Sequence, residues 1–246
     1  MDLSLSTVGV YLRSWGMSVQ RPALRAIEQD EDRVKQWKET EYPAIALRAK
    51  KENAIIYWAD ETAVKHDTNW VTGYAPKGQT PVLRCHDGRW KTATMVSAIS
   101  NQGLLRFKVQ DKSMDQFSFI EFLESMIEDE SKKIFLIVDN LKAHKSKAVN
   151  TWAEAHKDRI ELFFLPPYSP ELNPDEYVNR ALKTDIRSRV PKAIDELKTR
   201  TEQFMKKMAR SACRIKRIFE IEQVRYAAVC YLFLFHVNSG LYQSSW

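Results

Sequence analysis

The chain has few cysteines, few glycines and no long apolar run, and each shortage excludes something. Its three cysteines, Cys85, Cys213 and Cys230, are odd in number, far apart and never in a CxxC pair. Neither a disulfide framework nor a zinc knuckle fits them, and a reducing cytoplasm is the simplest setting. Only seven of 246 residues are glycine, while 44% are hydrophobic and 11% aromatic. That composition excludes a fibrous or disordered chain and allows a real core. The most apolar run, Tyr226–Val237, has 12 residues, too few to span a bilayer. The N-terminus lacks the charged-then-apolar pattern of a secretory signal, so no membrane partner is expected. The length suits one sizeable domain with appendages, or two small domains.

Charge is present but uneven. The net charge is +6, yet residues 180–220 alone carry 13 Lys/Arg against 5 Asp/Glu. A local basic stretch suits a polyanion such as nucleic acid, and equally a solvated helix face.

The order of elements follows from periodicity and punctuation. Ser4–Gly16 reads as a short helix capped by Ser6 or Thr7. Arg21–Lys51 reads as a charged helix or helix pair broken near Pro43. Ala54–Ala59 is a strand ending at Asp60. Asn69–Tyr74 and Pro81–Arg84 are short strands, and Thr92–Ile99 with Leu104–Val109 forms a hairpin about Asn101-Gln102-Gly103. Ser113–Glu130 has a helical apolar stripe. Lys133–Val138 is a buried strand ending at Asp139. A helix through Ser146–His156, a strand at Ile160–Leu165, and a helix from about Pro174 to Arg189 follow. Basic helical segments fill 192–209 and 211–229. The predicted fold class is α/β, a mixed sheet with helices on its faces.

Two aspartates, Asp60 and Asp139, close two apolar strands, where open α/β sheets place their ligands. Glu176 begins the helix after the proline-rich loop and could aim a third carboxylate at them. Converging carboxylates repel, and a hard divalent cation resolves the conflict. Each acid also has an ordinary reading, as a turn residue or a partner for the helix dipole. Glu61 and Asp175 are rival ligands.

The string from Val138 to Lys183, with Asp139-Asn140, His144, Leu165–Pro174 (LPPYSPELNP) and Glu176, resembles the DDE domain of mariner-like (Tc/mariner superfamily) transposases from bacterial insertion sequences. Thirty-six residues separate Asp139 from Glu176, which suits that family. Trp58–Leu83 (WADETAVKHDTNWVTGYAPKGQTPVL) resembles its first-aspartate strand and the hairpin that follows. The resemblance runs from about Leu3 to Ala228. It implies an RNase H-like fold in which Asp60, Asp139 and Glu176 hold two Mg2+ or Mn2+ ions, with Asn140 and His144 lining the site. His144 could pack against the strand or touch a phosphate. Tyr168 is expected to pack. The implied partner is double-stranded DNA, both transposon ends and target, bound by a homodimer on paired ends in a bacterial cytoplasm, at the nucleoid.

The expected organisation is a helix-turn-helix remnant at 1–20, a helical linker at 21–52, the catalytic domain at 53–190, basic helices at 191–230 and an atypical tail at 231–246. The family usually begins with two helix-turn-helix units, and only the last recognition helix is expected here, as in a truncated copy. The leading function is metal-dependent cleavage and strand transfer at transposon ends. The alternatives are an RNase H-like nuclease without joining, and a non-catalytic, inhibitory DNA-binding remnant.

Overall fold

The computed structural model describes residues 4–18, 26–65, 76, 79, 92–188 and 193–228. Five strands form one sheet in the order β3-β2-β1-β4-β5. They are β1 (Ile55–Lys65), β2 (Thr92–Ser100), β3 (Leu105–Gln110), β4 (Ile134–Val138) and β5 (Ile160–Phe164). β1–β2 and β2–β3 are antiparallel, while β1–β4 and β4–β5 are parallel. The mixed α/β sheet expected from sequence is therefore the observed one. The expected strands at 69–74 and 81–84 and the tail at 231–246 lie outside the described residues.

Helices cover both faces. On one side, α4 (Gln116–Asp129) and α5 (Lys147–Ala155) bury Phe119, Phe122, Leu123, Met126 and Val149 against Ile55, Tyr57, Val96, Leu136 and Val138. On the other side pack α3 (Tyr42–Lys51), α6 (Asp175–Ser188), α7 (Ile194–Ala209) and α8 (Ala212–Ile218), around Ile56, Trp58, Met95, Ile99 and Ile137. This two-sided burial explains why β1 and β4 begin as continuous apolar runs rather than alternating ones.

The N-terminal segments are simpler. α1 (Leu5–Ser14) is capped by Ser4, whose side chain accepts from the Thr7 N–H, two or three residues before the predicted caps at Ser6 or Thr7. It buries no residue among those described. α2 (Glu31–Gln36) leads through a π-helical turn at Trp37–Glu41 directly into α3. The expected break at Pro43 is thus a widened turn: Tyr42 N–H reaches back to the Trp37 carbonyl, and Pro43, which has no N–H to give, follows directly on it.

At the β2–β3 turn, Gly103 has φ +90, and a Cβ there would stand 2.8 Å from both Cβ and O of Ala212 at the start of α8. Gly103→Ala is therefore expected to destabilise the chain by about 2 kcal/mol, through left-handed backbone strain and overpacking. Urea unfolding checks this; an unchanged midpoint would remove Gly103 as the reason α8 closes on the hairpin.

Candidate active site

The site begins with strand register. In the parallel pair, Ile55 stands beside Ile134 and Trp58 beside Ile137. The pairing stops there, and two residues further along each strand stand Asp60 and Asp139. Continuing the same offset sets the two acids level, at the point where β1 and β4 part. Asp60 does not end its strand, contrary to expectation. β1 runs on to Lys65 because β2 continues beside it, pairing Asp60 with Ser97 and Lys65 with Thr92. Asp60 thus has a strand on one flank and an opening on the other.

Pleating separates Asp60 from its neighbour. Asp60 shares the face of Ile56 and Trp58, toward α6, whereas Glu61 turns toward α4 and accepts from the Met114 N–H at 3.3 Å. Asp139 lies just past β4. Its Oδ1 accepts from the Leu141 N–H at 3.0 Å and stands 2.9 Å from His144 Nδ1. His144 is buried, with its ring 4.2 Å from that of Phe119. Asn140 donates to the Leu165 carbonyl, pinning the turn after β4 to the start of the proline-rich loop.

That loop delivers the third acid. A single 3-10 turn at Pro170–Leu172 precedes Asn173, whose buried amide donates to the Ala59 carbonyl at 2.9 Å and accepts from the Asp175 N–H at 3.1 Å. Asp175 is fully buried and accepts from Ser97 Oγ at 2.6 Å. One turn on, Asn179 donates through Nδ2 to Asp60 Oδ2 at 2.7 Å. These bonds lay the first turn of α6 across β1 and β2 and leave Glu176 half-exposed at its start. Tyr168 does not pack as expected: it is 60% exposed, with φ 57. Its carbonyl, Ser169 Oγ and Glu171 Oε1 are instead gathered by the Gln29 amide at 3.1, 3.1 and 2.6 Å.

The electrostatics follow from this crowding. Burial, then the charges of Glu176 and Asp139, push the Asp60 carboxyl up to about 8. Burial and the nearby Asp60 hold Asp175 well above the usual carboxylate range. Burial raises Glu61 as well. Such groups resist ionisation until a cation arrives, and carboxylate oxygens suit a hard divalent ion. Among the described residues no three acidic, histidine or cysteine side chains already converge on one point. Binding by pairs of carboxylates still fits, since such ions are commonly held by one or two carboxylates plus water and phosphate. Two cavities of about 580 Å³ lie elsewhere, one beside β5 and α5 and one beside Phe219; neither is lined by Asp60, Asp139 or Glu176.

Comparison with known proteins bears on this arrangement. Residues 55–198 match the DDE superfamily endonucleases, and residues 1–41 match a winged helix-turn-helix. The chain belongs to the DDE superfamily endonuclease family. No curated protein sequence matches it. Among solved structures it is similar to the Mos1 mariner paired-end complex with Mn, at 15% identity and TM-score 0.64, covering 93% of this chain and 72% of that one. The Mos1 strand transfer complex gives 16%, 0.64, 93% and 71%. The Mos1 mariner catalytic domain alone gives 15%, 0.51, 82% and 95%. At these identities the likeness concerns the fold, which is RNase H-like as expected. For this DDE-family chain, sequence reasoning missed Ser97, Asn173 and Asn179. Asn173 stands inside the proline-rich motif, and Asn179 follows Glu176 by three residues, which places the two on one helix face; Ser97 left no such trace.

Proposed function

We propose that the chain is a Tc/mariner-type DNA transposase of a bacterial insertion sequence, with Asp60, Asp139 and Glu176 holding two Mg2+ or Mn2+ ions. The observation that carries this reading is the shared level of Asp60 and Asp139 on adjacent parallel strands, with Glu176 delivered over them by α6. Ions held there, about 3.5–4 Å apart, would activate the attacking oxygen and stabilise the leaving oxygen of a phosphodiester. The residues themselves do the positioning. β2 and β4 fix Asp60 and Asp139, Leu141 N–H steadies Asp139 with His144 beside it, and the Asn173 and Asp175 clasps set the approach of Glu176.

The partner is double-stranded DNA, first at the transposon end and then at the target. Lys206, Lys207, Arg210, Arg214, Lys216 and Arg217 are all exposed on α7, α8 and their junction, and basic side chains there suit backbone phosphates. The winged helix-turn-helix match at 1–41 suits end recognition. A homodimer on paired ends, working at the nucleoid in the cytoplasm, completes the reading. No helix among the described residues is long and apolar enough to cross a membrane.

Incubation with pre-cleaved transposon ends, target DNA and Mg2+ tests this. Joined product is the expected result. Hydrolysis without joining would replace transposase with an RNase H-like nuclease, and DNA binding with neither reaction would favour an inhibitory remnant.

A further inference from the structure

We propose that Asn179 is a positioning residue for Asp60, holding one carboxylate oxygen so that the other is presented to a metal ion. The inference rests on the assignment of Asp60 as a ligand. Asn179 sits on α6 between Val178 and Leu182, both buried in the apolar layer under the sheet, and is itself only 1% exposed. An amide in that layer costs free energy unless its hydrogen bonds are made. Asn179 makes one, from Nδ2 to Asp60 Oδ2 at 2.7 Å, while its Oδ1 has no donor among the described residues. A leucine would fill the same space without that penalty. What the amide adds is a donor aimed at a carboxylate, without a charge that would compete with a cation.

The geometry explains why a donor is needed there. β1 fixes the backbone of Asp60, and its carboxylate takes one hydrogen bond from the Glu61 backbone N–H. The Asn179 bond, crossing from helix to strand, adds a second hold and occupies Oδ2. It also couples Asp60 to Glu176, which lies one turn earlier on the same helix, so the two carboxylates keep a set spacing. Partners of this kind, one step removed from a metal, typically alter its affinity by about 10- to 100-fold when lost.

The experiment titrates Mn2+ onto the metal-free full chain, with free Mn2+ followed by electron paramagnetic resonance. Wild type, Asp60→Asn and Asn179→Leu are compared, and thermal melts are recorded without metal. The expected result for Asn179→Leu is about 10- to 100-fold weaker Mn2+ binding with a melting temperature no lower than wild type. Cleavage should need correspondingly more Mn2+ and recover at high Mn2+. If Asp60→Asn weakens binding and Asn179→Leu does not, the positioning role is overturned. If Asp60→Asn binds Mn2+ like wild type, the assignment of Asp60 as a ligand fails instead. Should Asn179→Leu not melt cooperatively, Asn179→Ala removes the amide without adding bulk and is judged by the same titration.

Discussion

Asp139→Asn is expected to abolish metal-dependent DNA cleavage, by about a thousand-fold or more, while leaving fold and DNA binding in place. The substitution keeps the size and shape of the side chain. The asparagine oxygen can still accept from the Leu141 N–H, the contact that orders the turn after β4. What disappears is a negative charge, and with it most of the affinity for a hard cation. Losing a negative charge also cannot weaken attraction to a polyanion. Cleavage of end-containing DNA in Mg2+ is the measurement, with gel-shift binding and thermal melting alongside. A variant that cleaves like wild type would sink the assignment of the site. One that neither cleaves nor binds would show that Asp139 is needed for the fold.

The second large effect is an inverted dependence of stability on pH. Asp60 titrates at about 8 in the folded chain because burial and the charges of Glu176 and Asp139 disfavour its ionised form. The unfolded chain loses that proton near pH 4. Between these values the folded state holds a proton that the unfolded state has released, so raising the pH favours unfolding until the folded group has also ionised. Asp175 and Glu61 are shifted upward too and act with the same sign. In a chelator, the melting temperature should therefore fall by roughly 10 °C from pH 5 to pH 8, about 4 kcal/mol at about 2–4 °C per kcal/mol for a chain of this size. Mn2+ favours the ionised form and binds only the folded chain, so it should remove most of the fall. Asp60→Asn isolates the group: it should reduce the slope in chelator, leaving the part due to Asp175 and Glu61, and abolish the Mn2+ response. A wild-type slope retained in that variant would mean that other groups cause it.

How much of this was legible in the sequence depends on which interactions decide each feature. The strands could be read because they are apolar on both faces, and Asp139 could be placed because β4 ends where polarity begins. The reach of β1 beyond Asp60 could not be read, since the β2 ladder, 27 to 37 residues away in sequence, sustains polar residues as strand. Pro43 was expected to break a helix. The π-helical turn that absorbs it depends on burying Trp37, a tertiary cause. The single helix expected over 211–229 is α8 followed, after a turn, by a 3-10 segment at Glu222–Ala227. Its apolar residues fill the gap beside Tyr42 and Leu172 rather than one continuous groove. Tyr168 was expected to pack because aromatic residues usually do, yet it stands out from a loop held by Gln29 through its backbone. Strand ends made Asp60 and Asp139 plausible, and the proline-rich motif selected Glu176. The bonds of Asn179 and Ser97 to buried carboxylates depend on α6 lying across the strands.

The shared level of Asp60 and Asp139 has a mechanical consequence. Asp60 stands in β1 and Asp139 one residue past β4, so their separation is set by the ladder that ends at Trp58 and Ile137. Glu176 rides on α6, which is held to the same sheet by Val178, Leu182 and Ile186 in the apolar layer and by the bonds of Asn173, Asp175 and Asn179. The three carboxylates therefore form a preset jaw: the sheet supplies its stiffness, and the packing of one helix supplies its closure.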